Sequence, residues 1–477
     1  MTRPSPSPRA SRGAVLWSLL ALATAALWVW SCWARFPNRG WNDVRLAPLF
    51  ALKLDGAMYP GEFGATSTWM YGPLHLLLLW PVTWAQSAYD ALLVGGALNA
   101  ALSLGAILMV CLAWPTPQPL DRSRRLGAAA VVILLWPAAS WLFLQADSTS
   151  VAVGLIANLA LVRWPGPRGR WAAALLATAT MLGKQTSLAV PLAQLLWIGG
   201  REGWRAAGHH ALRLAGAGGS WGLLLLAGHD VRDLWFNLIA TPGQLPWTDE
   251  PAKRVIDLAP YLAVHLGLPA LGWLAWRAWD RGAVSTGSLP LLAWACSWPL
   301  GLAAMLKIGG SINVLQGLQL WLPAGLVITC ALVASRPAPR AWLGAGLAAV
   351  AVILCAWRFA LEPIRVLRPD PRIYQEAVAL AEQHRGRVWF PWHPLVTVFS
   401  DQRRYLDEDG LLVRFLAGNP VDYATARAHL PPEFDMLVLR RDASDWGIAE
   451  GIIPADSALT EIGAWRVRTW ARPTGQP

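Results

Sequence analysis

Long apolar segments recur along most of this chain and limit the folds open to it. Runs about 15 to 27 residues long lie between Val15 and Arg358. A helix needs about 20 apolar residues to cross roughly 30 Å of hydrocarbon. Of the 477 residues, 55% are hydrophobic and only 14% are charged, whereas soluble domains average about 25% charged residues. The sequence therefore predicts a polytopic α-helical membrane protein.

The apolar runs predict about eleven transmembrane helices, and the basic residues orient them. The predicted spans are 14–34, 88–114, 127–145, 148–164, 171–183, 187–200, 212–228, 259–277, 287–306, 312–334 and 341–358. Arginines are concentrated in one alternating set of loops, and cytoplasmic loops carry such an excess. We therefore expect a cytoplasmic N-terminus and an extracytoplasmic C-terminus.

The predicted spans divide the chain into a leader, a membrane domain and a soluble domain. Residues 1–13 form a short cytoplasmic leader, and 14–358 form the transmembrane domain. Within it, 35–87 is the first extracytoplasmic loop. A short apolar segment there, Tyr71 to Pro81, predicts an interfacial helix, with a broken transmembrane helix as the alternative.

Composition changes in a charged, proline-rich linker at 361–371, and residues 359–477 predict a small extracytoplasmic α/β domain. Its helix is expected at 373–383, because apolar residues there have helical spacing. Strand-like runs follow at 387–391, 436–440 and 464–470. Aromatic residues at Trp389 and Trp392, with His393, favour core packing over carbohydrate stacking.

Net charge and cysteine placement argue against two other kinds of function. The formal charge of +11 comes mostly from loop arginines, so it does not indicate nucleic-acid binding. The five cysteines lie in apolar spans without metal-ligand spacing, which favours packing roles.

Four ionisable residues fall at span ends on the same predicted side of the membrane: Asp43, Asp147, Lys184 and Lys307. Each has a simpler interpretation. Asp43 could be a solvated loop carboxylate, Asp147 a helix N-cap, Lys184 an interfacial lysine, and the Lys307 segment a tight turn. Gathered at one face of a helical bundle, the four instead predict a site. His75, on the interfacial helix, is interpreted as structural.

Several short motifs in this region resemble the GT-C superfamily of polytopic glycosyltransferases over residues 14–358. They are, in chain order, Asp43; Tyr71, Pro73 and Leu74; Asp147; Lys184 and Gln185; and Lys307, Gly309, Gly310 and Asn313. That superfamily includes protein O-mannosyltransferases, lipid A aminoarabinose transferases and related bacterial proteins.

The resemblance implies an inverting transferase that moves a sugar from a polyprenyl-phosphate donor to an acceptor outside the membrane. The acceptor class stays open among glycans, lipids and proteins, and membrane lipids are expected partners. The resemblance also implies location in the bacterial inner membrane. Asp43 would be the base and Asp147 the second catalytic acid. Lys184, with Lys307, would bind the donor phosphate.

The remaining candidate substrate contacts are Asn42, Asp55, Tyr71, Gln185 and Asn313. Many superfamily members carry an Asp-Glu pair in the first loop, whereas Asp43 is followed by Val44 and Arg45. This departure leaves open whether Asp43 or Asp55 is the base. No cofactor is expected. A divalent cation held by Asp43 and Asp147 is the alternative, although two carboxylates make a weak metal site.

Two other functions compete with glycosyl transfer. A transporter or flippase is disfavoured because charges cluster at one membrane surface and no internal repeat is visible. A non-catalytic membrane scaffold with a degenerate transferase core is the other alternative, supported by the missing acidic pair.

Overall fold

The computed structural model describes most of the chain in discrete ranges. These are 12–33, 36, 41–56, 58–61, 69–116, 120–136, 142–262, 286–310, 312–329, 371–441, 450–454 and 456–471. Residues 1–11 of the predicted leader and the predicted span 341–358 lie outside the described residues, as does most of the predicted span 259–277.

Helices make up nearly all of the first part of the described chain. In chain order they are α1 (Arg12–Trp33), α2 (Trp41–Asp55), α3 (Leu74–Leu78), α4 (Ala88–Ala113), α5 (Arg122–Leu135), α6 (Ala146–Arg163), α7 (Pro167–Gly183), α8 (Ala189–Glu202), α9 (Trp204–Gly228), α10 (Val231–Trp235), α11 (Thr241–Gln244), α12 (Pro251–Leu262), α13 (Ser288–Met305) and α14 (Gln316–Val327).

Three of these helices are both long enough and apolar enough to cross a membrane: α4, α9 and α13. A shorter apolar helical segment lies at Ser18–Trp33, within α1. The long helices pack side by side, with α6 against α4 and α7, α9 against α7 and α8, and α13 against α8 and α14. The result is a multi-helix bundle with a shared apolar core.

Hydropathy located most of these helices correctly but overestimated the length of one. The predicted span 127–145 ends as a helix at Leu135, and a separate segment leads into α6 at Ala146. In the interfacial segment, α3 has only five residues and is followed by a 3-10 helix at Trp80–Trp84. A five-residue helix rises only about 7.5 Å, too little for half of a broken transmembrane helix.

The first loop contains an unpredicted helix, α2, which corrects the expectation that Asp43 lies on a loop. Polar residues and Pro48 within Trp41–Asp55 hid the helix in the sequence. Its N-terminal two thirds are buried. A carboxylate in the first turn favours the helix because it complements the partial positive charge of that end.

The C-terminal part folds as an α/β domain. Its helices are α15 (Pro371–Gln383), α16 (Pro394–Asp401), α17 (Glu408–Leu416) and α18 (Tyr423–Ala428). Its strands are β1 (Val388–Trp389), β2 (Met436–Arg440), β3 (Ala458–Ile462) and β4 (Trp465–Thr469).

The strands form one mixed sheet with the order β1-β2-β4-β3. β1 is parallel to β2, so the chain crosses over between them through α16, α17 and α18. β4 is antiparallel to both β2 and β3. The helix and three strand runs expected from sequence are all present. The exposed edge strand β3 was not anticipated, because its five residues lack an inward-facing apolar set.

The α/β domain rests on α2 through aromatic and aliphatic contacts. Phe50 packs edge-to-face on Phe399 at 5.4 Å, and Trp41 packs on Trp392 at 5.3 Å between ring centroids. A single apolar cluster runs through α2, α3 and the sheet of the C-terminal domain. α2 is thus enclosed between the helical bundle and the α/β domain, and this enclosure positions the candidate site.

Candidate functional site

A cavity of about 1060 Å³ lies where α2, the bundle and the α/β domain meet. Its lining is mostly apolar, with several polar and charged side chains among the apolar ones. Six of the sequence-predicted candidates line it, namely Asn42, Tyr71, Lys184, Gln185, Lys307 and Asn313. Asp43, Asp55 and Asp147 are absent from its lining.

Lys184 and Asp147 form a buried ion pair at the edge of this cavity. The ammonium Nζ lies 2.5 Å from Asp147 Oδ1 and 2.6 Å from Oδ2, and both side chains are at most 6% exposed. Asn313 Nδ2 donates to the same carboxylate at 3.5 Å. The N-cap of α6 is Gln145, so the interpretation of Asp147 as a cap is wrong. Asp147 instead holds Lys184 against the cavity.

Lys307 follows α13 in a turn that opens towards the cavity. Its ammonium donates to the carbonyl oxygens of Pro242 and Gly243 at 2.8 and 2.9 Å and lies 5.4 Å from the Trp247 ring. Gly309 has a φ of +85°, which glycine adopts without steric cost. Two carbonyl oxygens and an aromatic ring thus hold the Lys307 ammonium at the cavity, which is compatible with both the turn and the site interpretations.

Arg45 is a cavity residue that sequence reasoning passed over. Its guanidinium carbon lies 5.8 Å from the Tyr71 ring centre, and Lys184 Nζ lies 5.2 Å from the same ring. Within the described part of the chain, Arg45 Nη1 is buried and makes no hydrogen bond. Unpaired buried donors are costly, so this group is suited to binding an anion. Arg45, two residues after Asp43, is thus itself part of the site.

Asp43 is fully buried and is bound by the α/β domain. Tyr374 Oη donates to Asp43 Oδ2 at 2.7 Å, and His393 Nδ1 donates to the same oxygen at 3.1 Å. Burial, and then the neighbouring Asp43, raise the pKa of Tyr374 well above its usual value, so the phenol stays a donor. With 0% of its surface exposed and no place in the cavity wall, Asp43 lacks the access that a base requires.

The other predicted substrate contacts divide between cavity and exterior. Asp55 is exposed at the end of α2, outside the cavity, which removes geometric support for it as the alternative base. Asn42 is buried and its Oδ1 accepts from the Leu144 amide at 3.1 Å. Gln185 Nε2 donates to the Met70 carbonyl at 2.8 Å, so it ties the interfacial segment to the bundle while lining the cavity.

Asp43 and Asp147 have separate partners, so the arrangement gives no support to a cation shared between them. The remaining sequence interpretations concern packing. His75 is fully buried, with Nδ1 3.0 Å from Thr149 Oγ1. Trp389 and Trp392 are buried in the α/β domain, as expected of core residues.

Two carboxylates from the α/β domain line the cavity, Asp407 and Asp409. Asp407 caps α17 by accepting from the Gly410 amide at 2.7 Å, and Arg404 donates to it at 3.2 Å. Burial raises the pKa of Asp407 to about 7, although Arg404 acts in the opposite direction. Burial also raises the pKa of Asp409, again opposed by a cation, Arg45.

The cavity therefore combines cations from the bundle side with carboxylates from the α/β domain. Cations stabilise a phosphate, and a carboxylate with a raised pKa can accept a proton from a hydroxyl group. The sequence offered no signal for Asp407 or Asp409, because their approach to α2 depends on contacts more than 350 residues apart along the chain.

Comparison with known proteins identifies the fold. No protein-family model and no curated protein sequence matches the chain. The structure is similar to the crystal structure of ArnT from Cupriavidus metallidurans bound to undecaprenyl phosphate, with a TM-score of 0.58 and 12% sequence identity. The match covers 96% of this chain and 98% of that chain.

The apo form of the same ArnT gives a TM-score of 0.44 at 15% identity, over 88% of this chain and 78% of that one. The similarity to the undecaprenyl phosphate complex shows that this chain shares the overall fold of that protein, as the resemblance seen in the sequence predicts.

Proposed function

We propose that this protein is a membrane glycosyltransferase that uses a polyprenyl-phosphate-linked sugar as its donor and transfers the sugar with inversion. The main support for this proposal is the cavity of about 1060 Å³, whose wall contains Arg45, Lys184 and Lys307. The shared fold with an ArnT crystallised with undecaprenyl phosphate adds support.

The three cations suit the leaving group of this reaction. When the bond between the sugar and the phosphate breaks, negative charge develops on the phosphate, and fixed cations in a partly dry cavity stabilise that charge. Arg45 has an unpaired buried donor for it. Lys184 is partly neutralised by Asp147, whereas Lys307 is held by two carbonyl oxygens and the Trp247 ring.

The apolar wall of the cavity suits the lipid part of the donor. Phe143, Leu238, Ile239, Leu300 and Val314 all contribute to it. Each CH₂ group of a polyprenyl chain that is buried contributes about 0.8 kcal/mol of favourable free energy. A short buried stretch next to the phosphate therefore strengthens binding. The acceptor is a glycan, lipid or protein hydroxyl that reaches the cavity from the side of the α/β domain.

The reaction is proposed to proceed without a metal ion or cofactor in a bacterial inner membrane, with the N-terminus cytoplasmic and the α/β domain outside. The enclosure of α2 between the bundle and that domain supports placing the first loop and the C-terminal domain on the same side. The lysine and arginine distribution supports the direction.

The proposal is tested first by binding of undecaprenyl phosphate to purified protein in nanodiscs. Arg45→Gln and Lys307→Met are expected to weaken binding about 5- to 30-fold each, since loss of a charge-assisted contact costs roughly 1–2 kcal/mol. Arg441→Gln, an exposed change in the α/β domain away from the cavity, is the matched control and should leave binding unchanged.

Turnover is then measured with a panel of radiolabelled undecaprenyl-phosphate sugars, with and without a chelator. Release of undecaprenyl phosphate at a rate that the chelator does not lower is the expected outcome. Binding that is equal in all variants, together with no turnover on any donor in folded protein, would transfer support to a non-catalytic scaffold.

A further inference from the structure

Accepting the proposed function as its premise, we propose that Asp409 of the α/β domain is the catalytic base that deprotonates the acceptor hydroxyl. Asp409 lies in the first turn of α17 and lines the cavity. The membrane part of the chain would then bind the donor, and the soluble domain would supply the base.

The other carboxylates near the cavity are all occupied. Asp43 is fully buried beneath Tyr374 and His393. Asp147 is neutralised by Lys184. A base must reach the proton it removes to within hydrogen-bond distance, and a carboxylate enclosed by other side chains cannot do this without rearrangement.

Asp407 lines the cavity but is also engaged. Its two oxygens accept from the Gly410 amide and from Arg404, and the residue is only 1% exposed. Its role is to cap α17 and so to fix the first turn of that helix. Asp409 lies two residues further along, so the fixed backbone of this turn holds it in place. A catalytic group needs such a precise position.

Asp409 is the cavity carboxylate that is both reachable and unengaged. The residue is half-buried and lines the cavity, and it accepts no hydrogen bond from any residue in the described ranges. Burial raises its pKa above the usual aspartate value, and Arg45 limits that rise. A carboxylate whose pKa is raised is a stronger base towards a hydroxyl proton than an ordinary aspartate.

The step balances without any further reactant. The acceptor oxygen forms a bond to the anomeric carbon of the sugar while its proton passes to a carboxylate oxygen of Asp409. The bond from the anomeric carbon to the phosphate oxygen breaks, and its electron pair leaves with the polyprenyl phosphate. Arg45, which acts on Asp409 in the resting protein, lies in the same wall and stabilises the leaving phosphate.

The test compares Asp409→Asn, Asp409→Ala and Asp409→Glu with Asp456→Asn in the full-length protein in nanodiscs. Asp456 is exposed in the same domain and lies outside the cavity. Loss of a general base costs on the order of 100- to 10,000-fold in rate. We expect this loss in Asp409→Asn, with undecaprenyl phosphate binding within about twofold of wild type, and no change in Asp456→Asn.

Two readouts separate a base from a merely structural residue. The wild-type rate should fall as the pH falls, because the protonated carboxyl cannot accept a proton. Asp409→Glu should keep this acidic limb, and Asp409→Asn should lose it. Azide needs no deprotonation, so it should restore turnover in Asp409→Ala and give a glycosyl azide of inverted configuration.

Each other outcome overturns the assignment. If Asp409→Asn keeps more than about one tenth of the wild-type rate, Asp409 is not the base, and the glycosyltransferase function stands. If its rate and lipid binding fall together and azide restores nothing, Asp409 is structural. If wild type binds no undecaprenyl phosphate or turns over no donor, the proposed function fails, and the base assignment fails with it.

Discussion

The hydrogen bond from Tyr374 to Asp43 should control how firmly the α/β domain is docked on α2. It is 2.7 Å long and fully buried. Tyr374→Phe removes the donor and leaves His393 as the remaining partner of that carboxylate oxygen. Asp43 Oδ1 already has no hydrogen-bond partner among the described residues, so the carboxylate has little to compensate the loss.

The expected cost follows from this geometry. A hydrogen bond to a charged group contributes about 1.5–3 kcal/mol, and an acceptor left buried without it pays a desolvation penalty. If docking is weakened by that amount, the open population rises roughly 10- to 150-fold, since about 1.4 kcal/mol is a factor of ten. The change should be local, because the apolar contacts of Phe50 with Phe399 remain.

Hydrogen–deuterium exchange of the backbone amides measures that population directly. In Tyr374→Phe, amides in the N-terminal half of α2 should exchange roughly 10- to 150-fold faster than in wild type. The matched control is Tyr405→Phe, which removes a hydrogen bond to Asp401 of the same chemical type, 3.1 Å long and internal to the α/β domain. It should speed exchange near residues 401–405 and leave α2 unchanged.

Unaltered exchange in α2 of Tyr374→Phe would refute the reasoning, even if α15 itself became less protected. Equal acceleration of α2 in both variants would also refute it, because the effect would then reflect general loss of stability. Wild type and both variants must be measured at the same pH and in the same lipid composition, so that only the opening equilibrium differs between them.

Two further predictions concern the bundle side of the site. Lys184→Met should lower the unfolding midpoint, because breaking a buried ion pair costs about 3–5 kcal/mol; adding Asp147→Asn should recover part of the loss, and a simple sum of the two single effects would contradict the pairing. Gly310→Ala should also lower the midpoint, since its Cβ would lie 2.2 Å from the Ala304 carbonyl oxygen. Gly219→Ala, with nothing within 4 Å of the new atom, is the control and should not lower it.

The helices of the bundle could be predicted because each is encoded locally. The expected span 88–114 corresponds to α4 at Ala88–Ala113, and 287–306 corresponds to α13 at Ser288–Met305. Hydropathy over about 20 residues is enough to identify such segments. The strand runs at 436–440 and 464–470 were found for the same reason, since alternation along a few residues is a local signal.

α2 escaped prediction because its stability depends on distant parts of the chain. Read alone, Trp41–Asp55 is too polar to span a membrane and contains Pro48, a residue that weakens helices. Its helical form is stabilised by burial between the bundle and a domain that begins after residue 358. Asp43 was placed on a loop for this reason, and the simpler alternative of a solvated carboxylate is wrong because its side chain is fully buried.

The sequence predicted site residues from the membrane bundle but none from the α/β domain. Lys184, Lys307 and Asn313 lie at or next to the ends of predicted spans, and span ends on one side of a membrane are brought together by any bundle. Arg45 was treated as a defect in a motif, although its side chain lines the cavity. Asp409 could not be inferred at all, because a single sequence carries no information on which helix of a soluble domain faces the membrane part.

Enclosure of α2 has a consequence for the order in which the protein is made. During synthesis, Tyr374 is added 331 residues after Asp43, and His393 is added 350 residues after it. At about 5–20 residues per second, that delay lasts roughly 15–70 s. During this interval the first loop has been made but lacks the α/β domain that covers it. The Asp43 carboxylate and several aromatic rings are therefore exposed. The nascent chain therefore passes through a long stage in which α2 is accessible to proteases and chaperones, and it holds no finished cavity until the ribosome has passed α17.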